Sequence, residues 1–456
     1  MPRGCTRDRA TGRTDVDEVL DRMTQERLAK TFAADERARL LQNAVVSNGA
    51  DAVALDHDVV TSSGHTFSHH LIDRKVTDQG KSGRCWLFAG LNLLRRPMME
   101  TFSLESFELS QAYLMFWDKL ERANYFLEAV LETASRPLDD RTVAFLLDSV
   151  GNDGGQWNMF VALVAAHGVV PKHAMPETQS SADSARMNAI LRRVLRQGAA
   201  RVRAAAANGP AEAREEKAEI LETVHRVLSL HLGTPPERID WQWEDDDHHF
   251  HRVGWLTPQE FAERYLSLPL GDYVCLVHDP RPSSPPGRTF TVEHLGNVVG
   301  APPVTYLNVD IALTKRLAAE TIAAGEAVWF GCDVGKMMSN ELGLWDARLY
   351  DYEGLYGTRF DLSKADRLQL RETEMTHAML FVGVDLVDGT PRRWRVENSW
   401  GSERGQDGYY TMNDSWFDEY VFEIAVRKDR LPAELVAALE QPPIVLPAWD
   451  PMGALA

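Results

Sequence analysis

The chain has 456 residues, with 49 Lys and Arg against 67 Asp and Glu, a formal charge of −18. A field of that sign repels nucleic-acid phosphates, whose neutralisation supplies most non-specific nucleic-acid affinity, so nucleic acid is not an expected partner. No apolar run of about 18 residues is present to span a membrane, the N-terminal segment lacks the apolar core of a secretory signal, and the four cysteines, Cys5, Cys85, Cys275 and Cys332, are too dispersed for a zinc site or a disulfide scaffold; a reducing cytoplasm is the expected setting.

In chain order, 15–42 is charged with a helical period, and 51–64 is mixed and reads as loop. GKSGRCWLFAG at 80–90 introduces an apolar helical run that Pro97 should end near Arg96. SFELSQAYLMFWDKLERANYFLEAVLET follows as one or two helices with aromatic stripes of core type. NDGGQWNMFVALVAAHGVVPK is a Gly-rich turn leading into a short helix, with Pro171 just past its end. The region 177–232 reads as almost all helix with a break at NGP (208–210), and its basic piece RRVLRQGAARVR (192–203) as a solvated or oligomer-facing surface. From Gly271 the texture changes to short β-branched and aromatic runs, YVCLVHD, TFTVEHL, AVWFGCDVG, HAMLFVGVD, RWRVENSWG and YVFEIAVRK, which is strand composition. Helices first and strands later, without a β-α-β rhythm, define an α+β class. PRPSSPPG at 280–287 reads as a surface loop. After the helix PAELVAALE, the tail QPPIVLPAWDPMGALA (441–456) is too proline-rich for a helix and nearly all apolar, so it should dock on its own molecule or expose a sticky patch.

Cys85 stands where the first of these apolar helices must begin. Unpaired N–H groups and the dipole at a helix start favour a thiolate, and the small Ser82 and Gly83 permit close approach of a substrate backbone. Gln79, six residues upstream, can offer its amide to a developing oxyanion. On this stretch alone, a nucleophile and a buried structural thiol are both open readings. Cys275 and Cys332 sit in apolar strand-like runs and read as buried small hydrophobes. Among the 14 histidines, His65, His69 and His70 cluster, as do His248, His249 and His251, but neither group has a metal-ligand spacing. His377 immediately precedes the strand-like AMLFVGV, and a turn at Asp388–Gly389 leads back through RWRVENSW. In that antiparallel hairpin His377 and Asn398 fall opposite each other to within a residue or two, and Asn398 finishes an apolar row of Trp394 and Val396. A buried Asn needs a partner, and an imidazole N–H bonded to it would fix which ring nitrogen faces the thiol. Trp400 could roof that bond from water.

QGKSGRCWLFAG, THAM and ENSWG together resemble the papain-like cysteine peptidases. The spelling Ser-Gly-Arg-Cys-Trp, in place of Cys-Gly-Ser/Ala-Cys-Trp/Tyr, is similar to the bleomycin hydrolase and aminopeptidase C branch, as are GGQWNMFVALV, WFGCDVGK, GYYTMNDSWFDEYVFEIAV and PAWDPMGALA. The resemblance implies a helical half and a β-barrel-like half with large, mostly helical insertions. It implies Cys85 as nucleophile, His377 as base and then acid, Asn398 as orienter of the imidazole, and Gln79 with the Cys85 N–H as oxyanion donors. Substrate contacts are implied at Gly83, Trp86, Trp400 and the terminal carboxylate of Ala456, which would pair with the α-ammonium of a peptide with a free N-terminus. No metal or organic cofactor is implied; a cytoplasmic homohexamer around an internal chamber is. The expected organisation is an N-terminal extension and hook at 1–64, a helical half at 65–176 carrying the nucleophile, a helical insertion at 177–270, a β-rich half at 271–440 carrying His and Asn, and a C-terminal arm at 441–456 laid into the cleft. The competing expectations are a papain-like amidase or transferase dedicated to one peptide, and a catalytically silent, chamber-forming scaffold.

Overall fold

The computed structural model describes residues 20–456, so Cys5 and the start of the charged 15–42 segment lie outside the described residues. Two compact units result, 20–57 with 350–361, and 58–349 with 362–456. In the first unit, α1 (Arg22–Ala34) and α2 (Glu36–Asn48) begin at Asp21 and Asp35, whose carboxylates accept the Thr24 N–H at 2.7 Å and the Ala38 N–H at 2.9 Å; such caps satisfy donors that a helix start leaves open. Neither helix buries a residue, and Met23, Leu28, Phe32, Leu40 and Val46 are exposed. Short helices at Ala50–Ala54 and His57–Ser62 occupy the 51–64 stretch read as loop. The Asp351 N–H donates to Ala54 O at 2.7 Å and the Tyr352 hydroxyl to Asp51 at 2.5 Å, which joins 350–361 to this unit.

The second unit opens with α3 (Cys85–Phe102), α4 (Gln111–Glu132), α5 (Trp157–His167), α6 (Ala185–Ala206) and α7 (Pro210–Leu232). Contrary to the expected end at Arg96, α3 runs through Pro97 for five more residues. An internal proline costs about 3 kcal/mol, and here Met98, Met99 and Phe102 are buried beyond it while Arg95 and Arg96 anchor the turn before it, so tertiary packing outweighs the local penalty. The α6–α7 break falls at the expected place, with Gly209 at φ 149° and Pro210 in the first turn of α7. The basic piece of α6 is amphipathic: Leu195, Gly198, Ala199 and Val202 are buried, and Arg193, Arg196 and Arg201 face out. Within 177–270 the chain also forms a hairpin, β1 (Ile239–Glu244) and β2 (Phe250–Leu256). The helical expectation missed it because the strand is specified by long-range packing, Trp241 lying 5.2 Å from Phe102 and 5.1 Å from Phe261 between ring centroids.

The β-rich part contains β3 (Tyr273–Val277), β4 (Thr289–Val292), β5 (Tyr306–Asn308), α8 (Ile311–Ala323), β6 (Val328–Cys332), β7 (His377–Val387), β8 (Thr390–Glu397), β9 (Tyr409–Asn413), β10 (Val421–Arg427) and β11 (Ile444–Leu446). They join one sheet in the order β11-β4-β5-β3-β10-β6-β7-β8-β9. The hairpin read from the sequence forms, with Val387 opposite Thr390 and Leu380 opposite Glu397, but register shifts at Phe381/Gly383 and Asp385/Leu386 bend it. Its core side is aromatic: Phe381 stacks on Phe330 at 3.7 Å and lies 5.1 Å from Trp394. The start of β7 pairs His377 with Cys332 of β6, and α3 packs against β7, which carries residue 377 to the start of the helix that begins at Cys85.

Candidate active site

Cys85 is the first residue of α3, its cap residue Arg84 makes no side-chain capping bond, and the thiol is 2% exposed. Arg84 instead fixes the loop before the helix: its Nε donates to Ser82 Oγ at 2.8 Å, and Nη1 and Nη2 to Glu177 at 3.0 and 2.8 Å. Burial pushes the Cys85 thiol up to about 11, against the pull of the backbone N–H groups of Ala378, Trp86 and Cys85 itself. The expected lowering by the helix start is thus present but smaller than the desolvation of an enclosed sulfur. The approach of the Ala378 N–H puts the sulfur beside the residue that follows His377.

The His377 ring is buried, which holds its pKa down at about 4, while a hydrogen bond with Asn398 works the other way. Nε2 lies 2.9 Å from Asn398 Oδ1, and that oxygen also accepts the Ser399 N–H at 2.7 Å. A backbone N–H needs an acceptor, so the amide orientation is determined. Nε2 therefore carries the hydrogen, and Nδ1 keeps the lone pair in the neutral ring. Trp400 covers the imidazole, ring centroids 4.8 Å apart and planes tilted by 35°. Asn398 Nδ2 is buried without a partner.

Gln79 is buried on the other side of the Cys85 loop. Its Nε2 donates to Ser82 O at 2.6 Å and its Oε1 accepts from the Ser399 hydroxyl at 2.7 Å, which leaves one amide hydrogen available. The backbone is laced in the same direction: the Gln79 N–H donates to Ser399 O at 2.9 Å and the Gly401 N–H to Thr77 O at 3.1 Å. Behind this seam the Glu397 carboxylate, next to Asn398, pairs with both Arg95 (3.1 Å) and Arg96 of α3.

A third wall comes from 152–156. The Asp153 carboxylate accepts the Gly83 N–H at 3.3 Å, the Ser184 hydroxyl at 2.5 Å and an Asn188 amide hydrogen at 2.7 Å, and pairs with Lys119. Burial alone would raise its pKa, but Lys119 and these donors hold it well below the usual carboxylate range. Trp86 is fully enclosed: its indole N–H donates to Asp153 O at 2.8 Å and its ring lies under Gly155, where a Cβ would come within 2.5 Å. It therefore acts from beneath Gly155 and not through an exposed face. Ala456 is 3% exposed. Its N–H donates to Gly155 O at 3.2 Å and one oxygen of its terminal carboxylate accepts the Gly155 N–H at 3.0 Å, a two-bond antiparallel pair; Gln156 Nε2 adds a bond to Ala454 O at 2.5 Å. A Cβ on Gly154 would stand 2.5 Å from Ala456 O, so this approach needs glycine.

Cys85, Gly83, Gln79, His377, Asn398, Trp400 and the tail end at Ala456 thus belong to one connected network. Sequence reasoning did not single out Asp153, Arg84, Ser399 or Glu397. The adjacent glycines of NDGGQW were the available signal for a backbone that must be approached closely. The clustered His248 and His251 pair with Glu244 and Asp245 on the β1–β2 hairpin.

An α+β chain with a cysteine at the tip of a central helix, facing a β-rich half that delivers a paired histidine and asparagine, has the papain-like thiol-hydrolase design. The model of the Peptidase C1-like family matches residues 19–453, and the chain belongs to that family. It is 42% identical to aminopeptidase C of Streptococcus thermophilus over 434 residues, which is 94% of this chain and 98% of the relative. It is also 42% identical to human bleomycin hydrolase over 443 residues, 94% of this chain and 97% of the relative. Among solved structures, PepW from Lactobacillus rhamnosis superimposes with a TM-score of 0.94 at 43% identity, covering 96% of this chain and all of that one.

Proposed function

We propose that the protein is a cytoplasmic cysteine aminopeptidase that releases single N-terminal residues from peptides. Cys85 passes its proton to Nδ1 of His377 and attacks the carbonyl carbon of the first residue. The oxyanion is met by the Cys85 N–H and the remaining amide hydrogen of Gln79. Collapse of the adduct forms the Cys85 thioester as the imidazolium gives its proton to the leaving amine. Water, deprotonated by His377, then attacks the thioester, the proton returns to sulfur, and the amino acid leaves. Asn398 holds the ring in the tautomer this sequence needs, and no cofactor takes part. Amides of the bleomycin type fit the same chemistry, an amide carbonyl next to a free amine.

The single observation that carries the exopeptidase reading is the pairing of Ala456 with Gly155 beside the nucleophile loop. The tail lies along the Gly154–Gly155 backbone that a longer substrate would use, and a carboxylate at its end offers the counter-charge for an α-ammonium. Catalytic efficiency on matched free and N-acetylated peptides tests this. Free peptides should be favoured by at least about tenfold, the value of one modest charge-assisted contact; equal turnover would refute the reading. Cys85→Ala should abolish both activities. A homohexamer around an internal chamber is part of the same proposal. It is supported by the exposed apolar side chains of α1 and α2, and light scattering should return six times the 51.2 kDa chain mass.

A further inference from the structure

The tail is held at four levels. β11 pairs in parallel with β4. At Trp449, Arg371 donates to the carbonyl at 2.6 Å and the Arg141 guanidinium lies 4.0 Å from the ring centroid. At Asp450, both carboxylate oxygens are gripped by one residue: Arg281 Nη2 donates to Oδ1 at 2.8 Å and Nη1 to Oδ2 at 3.0 Å. Asp450 Oδ1 also accepts the Met452 N–H at 2.9 Å and so starts the final turn, 451–453. Only six residues follow Asp450, and beyond that turn the tip holds the body through Gln156 and Gly155.

Arg281 comes from PRPSSPPG, the stretch read as a plain surface loop. It is 8% exposed, and its other edge forks onto Asp279 with contacts of 2.8 to 3.1 Å. Asp279 is itself seated by Asn308, which accepts its N–H at 2.9 Å and donates to its carbonyl at 3.0 Å, with a further donation to Ser284 O at 2.6 Å. The asymmetry matters. Arg281 has a full counter-ion within its own loop, whereas Asp450 depends on Arg281. If the tail lifts, the body keeps a buried arginine still paired with Asp279 and no stranded charge, the condition under which breaking a buried ion pair is least costly. This is the arrangement of a detachable contact, with the permanent half on the body and the removable half on the tail.

We infer that the Arg281–Asp450 pair is the latch that keeps the tail in the cleft, and that Arg281 is a specificity-determining residue that holds the enzyme to N-terminal cleavage. The inference rests on the aminopeptidase reading and names the residue that regulates it. A fixed point at Asp450 limits the tip to a reach of about 20 Å for six extended residues, which keeps Ala456 close to its seat on Gly155. With the latch weakened, the tip competes less well with the backbone of a long or blocked substrate.

The test uses three full-length forms, wild type, Asp450→Asn and Arg281→Lys, and a reference chain ending at Trp449. Each is assayed with a free aminoacyl amide and with an N-acetylated, C-amidated peptide quenched at both ends. Asp450→Asn keeps the shape and the bond to Met452 while removing the charge. Arg281→Lys keeps the charge and the Asp279 partner but loses the two-point grip. Both should raise the ratio of blocked to free turnover by about tenfold or more, towards the reference chain. In the reference chain, Arg281→Lys should change nothing further, because the partner is gone. If the reference chain cleaves blocked peptides while both point variants keep the wild-type ratio, the latch is overturned and the role of the tail stands. If the reference chain also keeps the wild-type ratio, the tail does not set specificity, and latch and aminopeptidase reading fall together.

Discussion

Glu397→Gln exchanges one carboxylate oxygen for an NH2 group at nearly constant volume, in a position where the side chain is fully enclosed. Its two partners are almost as deeply placed, Arg95 at 3% and Arg96 at 8% exposure. Each arginine also donates to a backbone carbonyl of the segment leading to Gln79, Arg95 to Lys75 O at 2.8 Å and Arg96 to Ile72 O at 3.0 Å. These bonds hold the guanidinium groups where they are after the charge is removed. The variant therefore leaves two buried cations with no counter-ion and turns an amide donor towards at least one of them. Removing one partner of a buried pair costs about 3–5 kcal/mol, a large fraction of the roughly 5–15 kcal/mol that separates folded from unfolded domains. Urea unfolding followed by the fluorescence of the 12 tryptophans should show a midpoint lowered accordingly, with turnover reduced even where the protein is still folded, because Asn398 is the next residue. A loss of unfolding free energy below about 1 kcal/mol, the level of an exposed ion pair, would refute the reasoning.

Two titrations follow from burial. The His377 ring is held at about 4 against an ordinary 6.5, so the stability tied to the neutral ring is complete above pH 6.5 and is lost as the pH falls towards 4. Wild type should lose about 3 kcal/mol more than His377→Gln between pH 7 and 4, and equal losses in urea titrations at the two pH values would refute it. Burial raises the Glu423 carboxyl to about 8 from 4.5, so its contribution is favourable at low pH and is lost as the pH rises from 4.5 to 8. Glu423→Gln should be the more stable form by about 3 kcal/mol at pH 7 and show no gain at pH 4; a gain independent of pH would point to packing instead.

What could be read from the sequence follows the range of the interaction involved. The pairing of His377 with Asn398 was visible because both lie in one hairpin whose turn is marked by Asp388–Gly389, and two register shifts did not remove it. The helix start at Cys85 and the break at Gly209–Pro210 were visible for the same local reason. Pro97 misled because its cost is local and its compensation is not: Arg95 and Arg96 reach a carboxylate about 300 positions away. Arg281 and Asp450 were hidden in the same manner, 169 positions apart, in two proline-rich segments whose composition says only that they are not helices. Ion pairs carry no periodicity, so the residues that lock this site together were the ones composition and pattern could not reveal.

The distribution of those locks separates two properties of the protein. The proposed catalytic groups hang on a seam between 72–79, α3 and 397–401, closed by Glu397, by the backbone bonds of Gln79 and Gly401, and by the hydroxyl of Ser399. The tail is fastened elsewhere, by β4, by Arg281 and at Gly155 and Gln156, and none of these contacts includes Cys85, His377 or Asn398. Asp153 bridges the two systems: its carboxylate holds the Gly83 N–H of the loop before Cys85 while its own carbonyl seats Trp86 under Gly155. Substitutions along the seam should therefore change rate for every substrate alike, and substitutions at the latch should change which end of a substrate is accepted. Asp153 is the position from which both would shift together.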